Sequence, residues 1–185
     1  METTLPVFAI TEDKYDVILD LRYGSTNNFL NQQIYENSLC FLHQDTLTCF
    51  EKTIQLADQQ GYRLKIFDAF RPQAAQEKLW SICSNPTYVA DPAKGSNHTR
   101  GIAIDLTLVD KNGSELDMGT SFDDFTSLSH HGSDLPADIQ ANRYLLLGIM
   151  LTAGWEIYLY EWWHYQLSDT NSYPLLKDCY GMMTK

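Results

Sequence analysis

Ser96-Asn97-His98-Thr99-Arg100-Gly101-Ile102-Ala103-Ile104-Asp105-Leu106-Thr107-Leu108-Val109 reads as a strand from Ile102 to Val109, entered through a glycine that permits a tight bend. The turn signal Asp110-Lys111-Asn112-Gly113 closes this strand, and Ser114 to Met118 is expected to return beside it. Upstream, Leu47, Phe50, Ile54 and Ala57 recur at helical spacing, so Asp45 to Gln60 reads as a helix with Gly61 at its C-terminal cap. Tyr62, Leu64 and Ile66 alternate with Arg63 and Lys65, which predicts a strand over Tyr62 to Asp68. Pro72 is read as the first residue of a helix reaching about Cys83. Downstream, Asp138 to Ala153 is a third helix stopped by Gly154, and Trp155 to Tyr160 with Trp163 to Leu167 read as a hairpin of two short strands. Helices and strands without regular βαβ alternation predict a single α+β domain over 1–185: a mainly antiparallel sheet flanked by helices, with a site in a cleft at the sheet.

The chain has 185 residues, 44% of them hydrophobic, which suffices for a real core. Its formal charge of −11 argues against nucleic acid or an anionic membrane as partner, because both are recognised through clustered Lys and Arg. Met1-Glu2-Thr3-Thr4-Leu5-Pro6 has no basic n-region and no later stretch is long enough to span a bilayer, so a cytoplasmic location is expected. Cys40, Cys49, Cys83 and Cys179 are widely spaced with no CxxC pair, and are expected as reduced, mostly buried thiols rather than disulfides or zinc ligands. Gly95, Gly101 and Gly113 fit no nucleotide-binding pattern.

A catalytic zinc usually takes three protein ligands and leaves a fourth position open, and His98, Asp105 and His164 satisfy that count. Asp105 stands in an apolar strand, where an unpaired charge is costly; a metal would compensate it, and so would an ion pair with Arg100 or Arg143. Glu161, in Glu161-Trp162-Trp163-His164, can move protons, but it lies three residues from His164. On an ideal strand the two would face opposite ways, so both reach one cavity only if Glu161 sits at a turn or bulge. Arg71, in Asp68-Ala69-Phe70-Arg71-Pro72, lies where a strand hands over to a helix; it suits an oxyanion, or a local ion pair with Asp68. His130-His131 is read as a surface loop with the two rings pointing apart, and His43 as structural.

With these residues in place the chain resembles the VanX-type D-alanyl-D-alanine dipeptidases, zinc enzymes related to D-alanyl-D-alanine carboxypeptidases. The likeness runs through Asp20-Leu21-Arg22-Tyr23, Asn28-Phe29, Asp68 to Pro72, Ser96 to Leu108, Met118-Gly119-Thr120-Ser121-Phe122-Asp123, Asn142-Arg143 and Glu161 to Tyr165. It departs at Gly24-Ser25, Asn27 and Leu30-Asn31, where the family usually has other residues. The resemblance implies one zinc per chain on His98, Asp105 and His164, Glu161 as base and Arg71 at the tetrahedral intermediate. It also implies that Asp123, with Ser96 and Tyr23, holds the ammonium of a small dipeptide that is hydrolysed to two D-alanines. Two rivals are a D,D-carboxypeptidase acting on peptidoglycan stems and a non-catalytic, zinc-dependent peptide-binding module built around Trp162, Trp163 and Tyr165.

Overall fold

All seven residues of the strand Ala103–Val109 are buried, because it runs through the middle of a sheet covered on both faces. In the computed structural model, which describes residues 6–35 and 39–176, this strand is β5. Ahead of it come β1 (Val7–Ile10), β2 (Val17–Leu19), β3 (Cys40–His43), α1 (Leu47–Gln59), β4 (Arg63–Asp68) and α2 (Gln73–Ile82). After it come α3 (Ala137–Ala153), β6 (Glu156–Ile157) and β7 (His164–Gln166). A five-stranded sheet has the order β2-β4-β5-β7-β6, and β1 pairs with β3 in a separate antiparallel ribbon. Within the larger sheet β2 and β4 run parallel and the other neighbours antiparallel, so the domain is α+β with a mainly antiparallel, mixed sheet.

Alternation along β5 divides the labour between its faces. Ile104, Leu106 and Leu108 join Phe50 of α1, Leu146 and Met150 of α3 and Leu64 and Ile66 of β4 in the main core. Asp105 points the other way. The α1 helix lays Phe50, Thr53 and Ala57 inward as one stripe, entered by a short turn in which His43 Nδ1 accepts the Asp45 N–H at 3.2 Å. This is the structural role expected of His43. The α2 helix buries Ala75, Gln76 and Leu79 against a smaller cluster with Tyr23, Tyr35 and Val89. Tyr23 of that cluster also lines the site.

Most expected elements are present with shifted ends. Pro72 is the N-cap of α2 rather than its first residue. The hairpin near the end is β6 and β7, shorter than expected. The strand expected over Ser114 to Met118 is not formed; it is reduced to a bridge between Val109 and Glu115 and a Leu116 N–H bond to Leu108 O. The chain is drawn away from the sheet toward α3, where Asn142 donates to Asp117 O and Arg143 to Met118 O. The sequence reading passed over β1, β2 and β3, which are strands of three or four residues. Cys40, Cys49 and Cys83 are free thiols, and Cys179 lies outside the described residues.

Candidate active site

Three neighbouring strands bring the site together. Cross-strand register pairs Asp68 of β4 with Asp105 of β5, and Asp105 with His164 of β7. A bulge between Ile66 and Asp68 makes the first pairing possible, since Phe67 is the extra residue and Asp68 slips into line. His98 enters from the loop before β5. Its approach depends on Gly101, at φ +72°, where an added Cβ would lie 3.2 Å from the His43 backbone nitrogen.

His98 Nε2, His164 Nδ1 and the Asp105 carboxylate converge in a buried cluster that could hold a metal ion. The imidazole nitrogens are 3.2 Å apart, and Asp105 oxygens lie 3.3 Å from His98 Nε2 and 3.0 Å from His164 Nδ1. Tetrahedral ligands bound at about 2.0–2.1 Å stand ~3.3 Å from one another, so this spacing fits zinc. The protonation pattern fits as well. His98 Nδ1 is 2.7 Å from the Ala69 carbonyl, an acceptor only, so that nitrogen carries the proton and Nε2 turns a lone pair inward. His164 Nε2 faces Gln166 Oε1 at 3.1 Å, an arrangement that, with the proton on Nε2, turns the Nδ1 lone pair inward likewise. Converging lone pairs and a carboxylate repel one another unless a cation lies among them.

Neither Arg100 nor Arg143 neutralises Asp105. Arg100 bonds the Tyr173 and Lys94 carbonyls, and Arg143 those of Met118 and His130. The nearest guanidinium is that of Arg71, whose Nη2 stands 3.8 Å from Asp105 Oδ2. Arg71 also makes the local ion pair: Nε and Nη2 lie 2.9 and 2.8 Å from Asp68 Oδ2, and Nη1 donates to Gln76 Oε1 at 2.9 Å. Tyr35 completes the support by donating to Asp68 Oδ1 at 2.7 Å. The guanidinium is therefore locked in place while still lining the cavity.

Glu161 does sit at a turn. Glu161 to His164 closes on a His164 N–H bond to Glu161 O at 3.4 Å, which returns both side chains to one side and puts Glu161 Oε2 3.9 Å from His164 Nδ1. Asp123 is also held in an unusual conformation, at φ +62°, a left-handed setting that non-glycine residues rarely adopt and that here turns the carboxylate into the cavity. Tyr23 donates to Asp123 Oδ2 at 2.9 Å, and its ring lies 5.0 Å from the Arg71 guanidinium. Ser96, buried beside them, accepts the His98 N–H at 3.2 Å.

The cavity these residues line measures about 150 Å3. Clefts for drug-sized ligands run to roughly 300–1,000 Å3, so a small ligand is favoured. Its walls carry Asp105, Asp123 and Glu161 against the single guanidinium of Arg71. Burial, reinforced by the charges of Asp105 and Asp123, pushes the Glu161 carboxyl well above the usual range. Asp123 is pushed up to about 8 by burial and by the charge of Asp105. For Asp105 burial acts in the same sense, but positive charge held between it and the facing imidazoles, as a proton or a metal ion, outweighs burial and holds the carboxyl below its usual range. A pocket this rich in acid calls for cationic guests.

The sequence-predicted site residues thus meet in one place, whereas His130 and His131 stay outside the cluster and point apart. His130 meets Tyr88 and Tyr160 and His131 packs on Tyr165, half-buried rather than on an open surface loop. Sequence reasoning passed over Tyr35, Gln76, Asn97 and Gln166. Gln166 had a readable signal, since two residues beyond His164 on a strand is the same face.

A family model described as D-ala-D-ala dipeptidase matches residues 5–182. The D-alanyl-D-alanine dipeptidase of Escherichia coli strain K12 is 44% identical over 164 residues, covering 88% of this chain and 85% of its own. That of Enterococcus faecium is 31% identical over 190 residues, covering 89% and 92%. A Streptomyces coelicolor D-alanyl-D-alanine dipeptidase is 27% identical over 172 residues, covering 81% and 85%.

Proposed function

The chain belongs to the D-alanyl-D-alanine dipeptidase family of peptidases, and on that footing we propose that it hydrolyses D-alanyl-D-alanine to two D-alanines with one zinc ion per chain. The observation that carries the zinc reading is the inward convergence of His98 Nε2, His164 Nδ1 and Asp105, with the outer imidazole nitrogens hydrogen-bonded elsewhere. A zinc ion held by these three side chains supplies Lewis-acid polarisation of the scissile carbonyl and makes water a stronger nucleophile by lowering its pKa toward ~7.

The protein's own groups do the rest. Glu161 takes the proton of the attacking water and hands it to the departing amine. Its burial suits this role, because a carboxylate pushed upward is a better proton acceptor. Arg71, fixed by Asp68 and Gln76, meets the oxyanion as it forms, and being held beforehand it need not reorganise during the reaction. Asp123, with Tyr23 and Ser96 beside it, takes the substrate ammonium, and that positive charge draws Asp123 into its ionised form. A blocked amine would leave the carboxylate without its counter-charge. The reaction needs no covalent intermediate.

Zinc analysis paired with D-alanyl-D-alanine turnover tests this reading. Activity that rises to saturation at one zinc per chain supports it; full turnover without bound metal overturns it. The clamp yields a second expectation. Asp123→Asn should lower kcat/KM for the dipeptide by roughly 30-fold, the cost of about 2 kcal/mol for a lost charge partner. The same variant reports on pH. An acid raised to about 8 in the folded chain keeps its proton there while the unfolded chain has lost it, so its stabilising contribution falls away as pH rises from about 4 through 8. Metal-free and without substrate, Asp123→Asn should therefore lose less thermal stability than wild type between these limits. Parallel melting curves for the two proteins would contradict the assignment.

A further inference from the structure

Gln166 Oε1 accepts a hydrogen bond from Asn97 Nδ2 at 2.7 Å and faces His164 Nε2 at 3.1 Å. Gln166 sits two residues after His164 on β7, where Ala103 of β5 and Glu156 of β6 flank it in the sheet, so its backbone has little freedom. Asn97 directly precedes His98. The pair therefore ties together the two segments that carry the imidazoles. A glutamine amide has one accepting and one donating end of nearly equal shape, and nothing in Gln166 alone decides which faces His164. Asn97 decides it. By donating to Oε1 it keeps the oxygen toward His164; a flipped amide would offer N–H to Nε2 and force the proton onto Nδ1, into the metal cluster.

We propose that Asn97 and Gln166 are positioning residues that hold His164 in the tautomer with Nδ1 free for the metal. This rests on the reading of His98, Asp105 and His164 as metal ligands. Partners on the outer nitrogen of a ligating histidine are typically worth about 10- to 100-fold in metal affinity, and the specific prediction lies in how the two residues depend on each other. Gln166→Leu removes the acceptor and should weaken zinc binding by about 10- to 100-fold. Gln166→Glu presents oxygen from either end and should keep it. Asn97→Ala releases the amide and should weaken zinc binding when Gln166 is present, yet have little effect in the Gln166→Glu background, where there is no wrong end to present.

The test is zinc affinity of the full chain, measured by competition with a chromophoric chelator for wild type, the three single variants and the Asn97→Ala/Gln166→Glu double variant. Nitrogen-15 spectra of the zinc-loaded wild type add a readout independent of any substitution, and should place the His164 proton on Nε2. Suppression of the Asn97→Ala defect by Gln166→Glu, together with that tautomer, is the expected result. An equal defect in both backgrounds, unchanged affinity in Gln166→Leu, or a proton on Nδ1 of His164 would overturn the proposal while wild type still binds zinc. A wild-type chain that binds no zinc would instead overturn the ligand reading beneath it.

Discussion

Glu161→Gln is expected to lower kcat about 100- to 10,000-fold, the range for loss of a positioned general base, while the protein keeps its zinc. The substitution keeps the shape of the side chain and leaves His98, Asp105 and His164 untouched, so a loss of activity cannot be charged to lost metal. Folding should not suffer either. Glu161 is a buried carboxyl close to the charge of Asp105, and a neutral amide avoids the cost of placing a second charge there. Melting temperature at neutral pH should thus stay level or rise while turnover collapses. Near-normal turnover with zinc retained would mean that another group carries the proton. Tyr158 and Tyr88 also line the cavity, but burial holds both hydroxyls above their usual range, which makes them poor bases near neutrality.

Removal of the proposed metal is expected to have the other large effect. A ligand that binds only the folded chain adds about 4 kcal/mol of stability at a free concentration 1,000 times its dissociation constant. For a chain of this size, that corresponds to a fall of about 8–16 °C in Tm on chelation. Turnover should vanish and return on adding zinc back. The physical source of the shift is the repulsion among inward lone pairs and the buried Asp105 charge, left without a counter-ion when the metal is gone. A chelated protein that melts at the same temperature and turns over at the same rate would contradict a metal role for this cluster.

Much of this architecture was readable because it rests on local patterns. The α1 stripe of Leu47, Phe50, Ile54 and Ala57, the stop at Gly154 and the apolar run of β5 are each written within one stretch of chain. The cluster of His98, Asp105 and His164 was readable as a candidate because Asp105 is an acid in an apolar strand and needs a reason to be there. What stayed hidden depends on distant partners. The row Asp68, Asp105, His164 exists only through a bulge that no periodicity reveals. Tyr35 finds Asp68 across 33 positions, and Asn97 finds Gln166 across 69. Aromatic neighbours suggested a strand at Glu161, yet the turn there is set by long-range bonds: Trp162 N–H to Ser129 O, and Leu106 N–H to Trp163 O. The short strands β1 and β3 owe their form to pairing with each other rather than to strong patterns of their own.

The most direct test of the central claim compares D-alanine release from free D-alanyl-D-alanine and from its N-acetylated form, using protein that carries one zinc per chain. The proposed zinc site and Asp123 clamp together predict rapid release from the free dipeptide, loss of that release on chelation and almost none from the acetylated form. Equal cleavage of the acetylated substrate, or no cleavage of the free dipeptide at full zinc occupancy, would contradict the account.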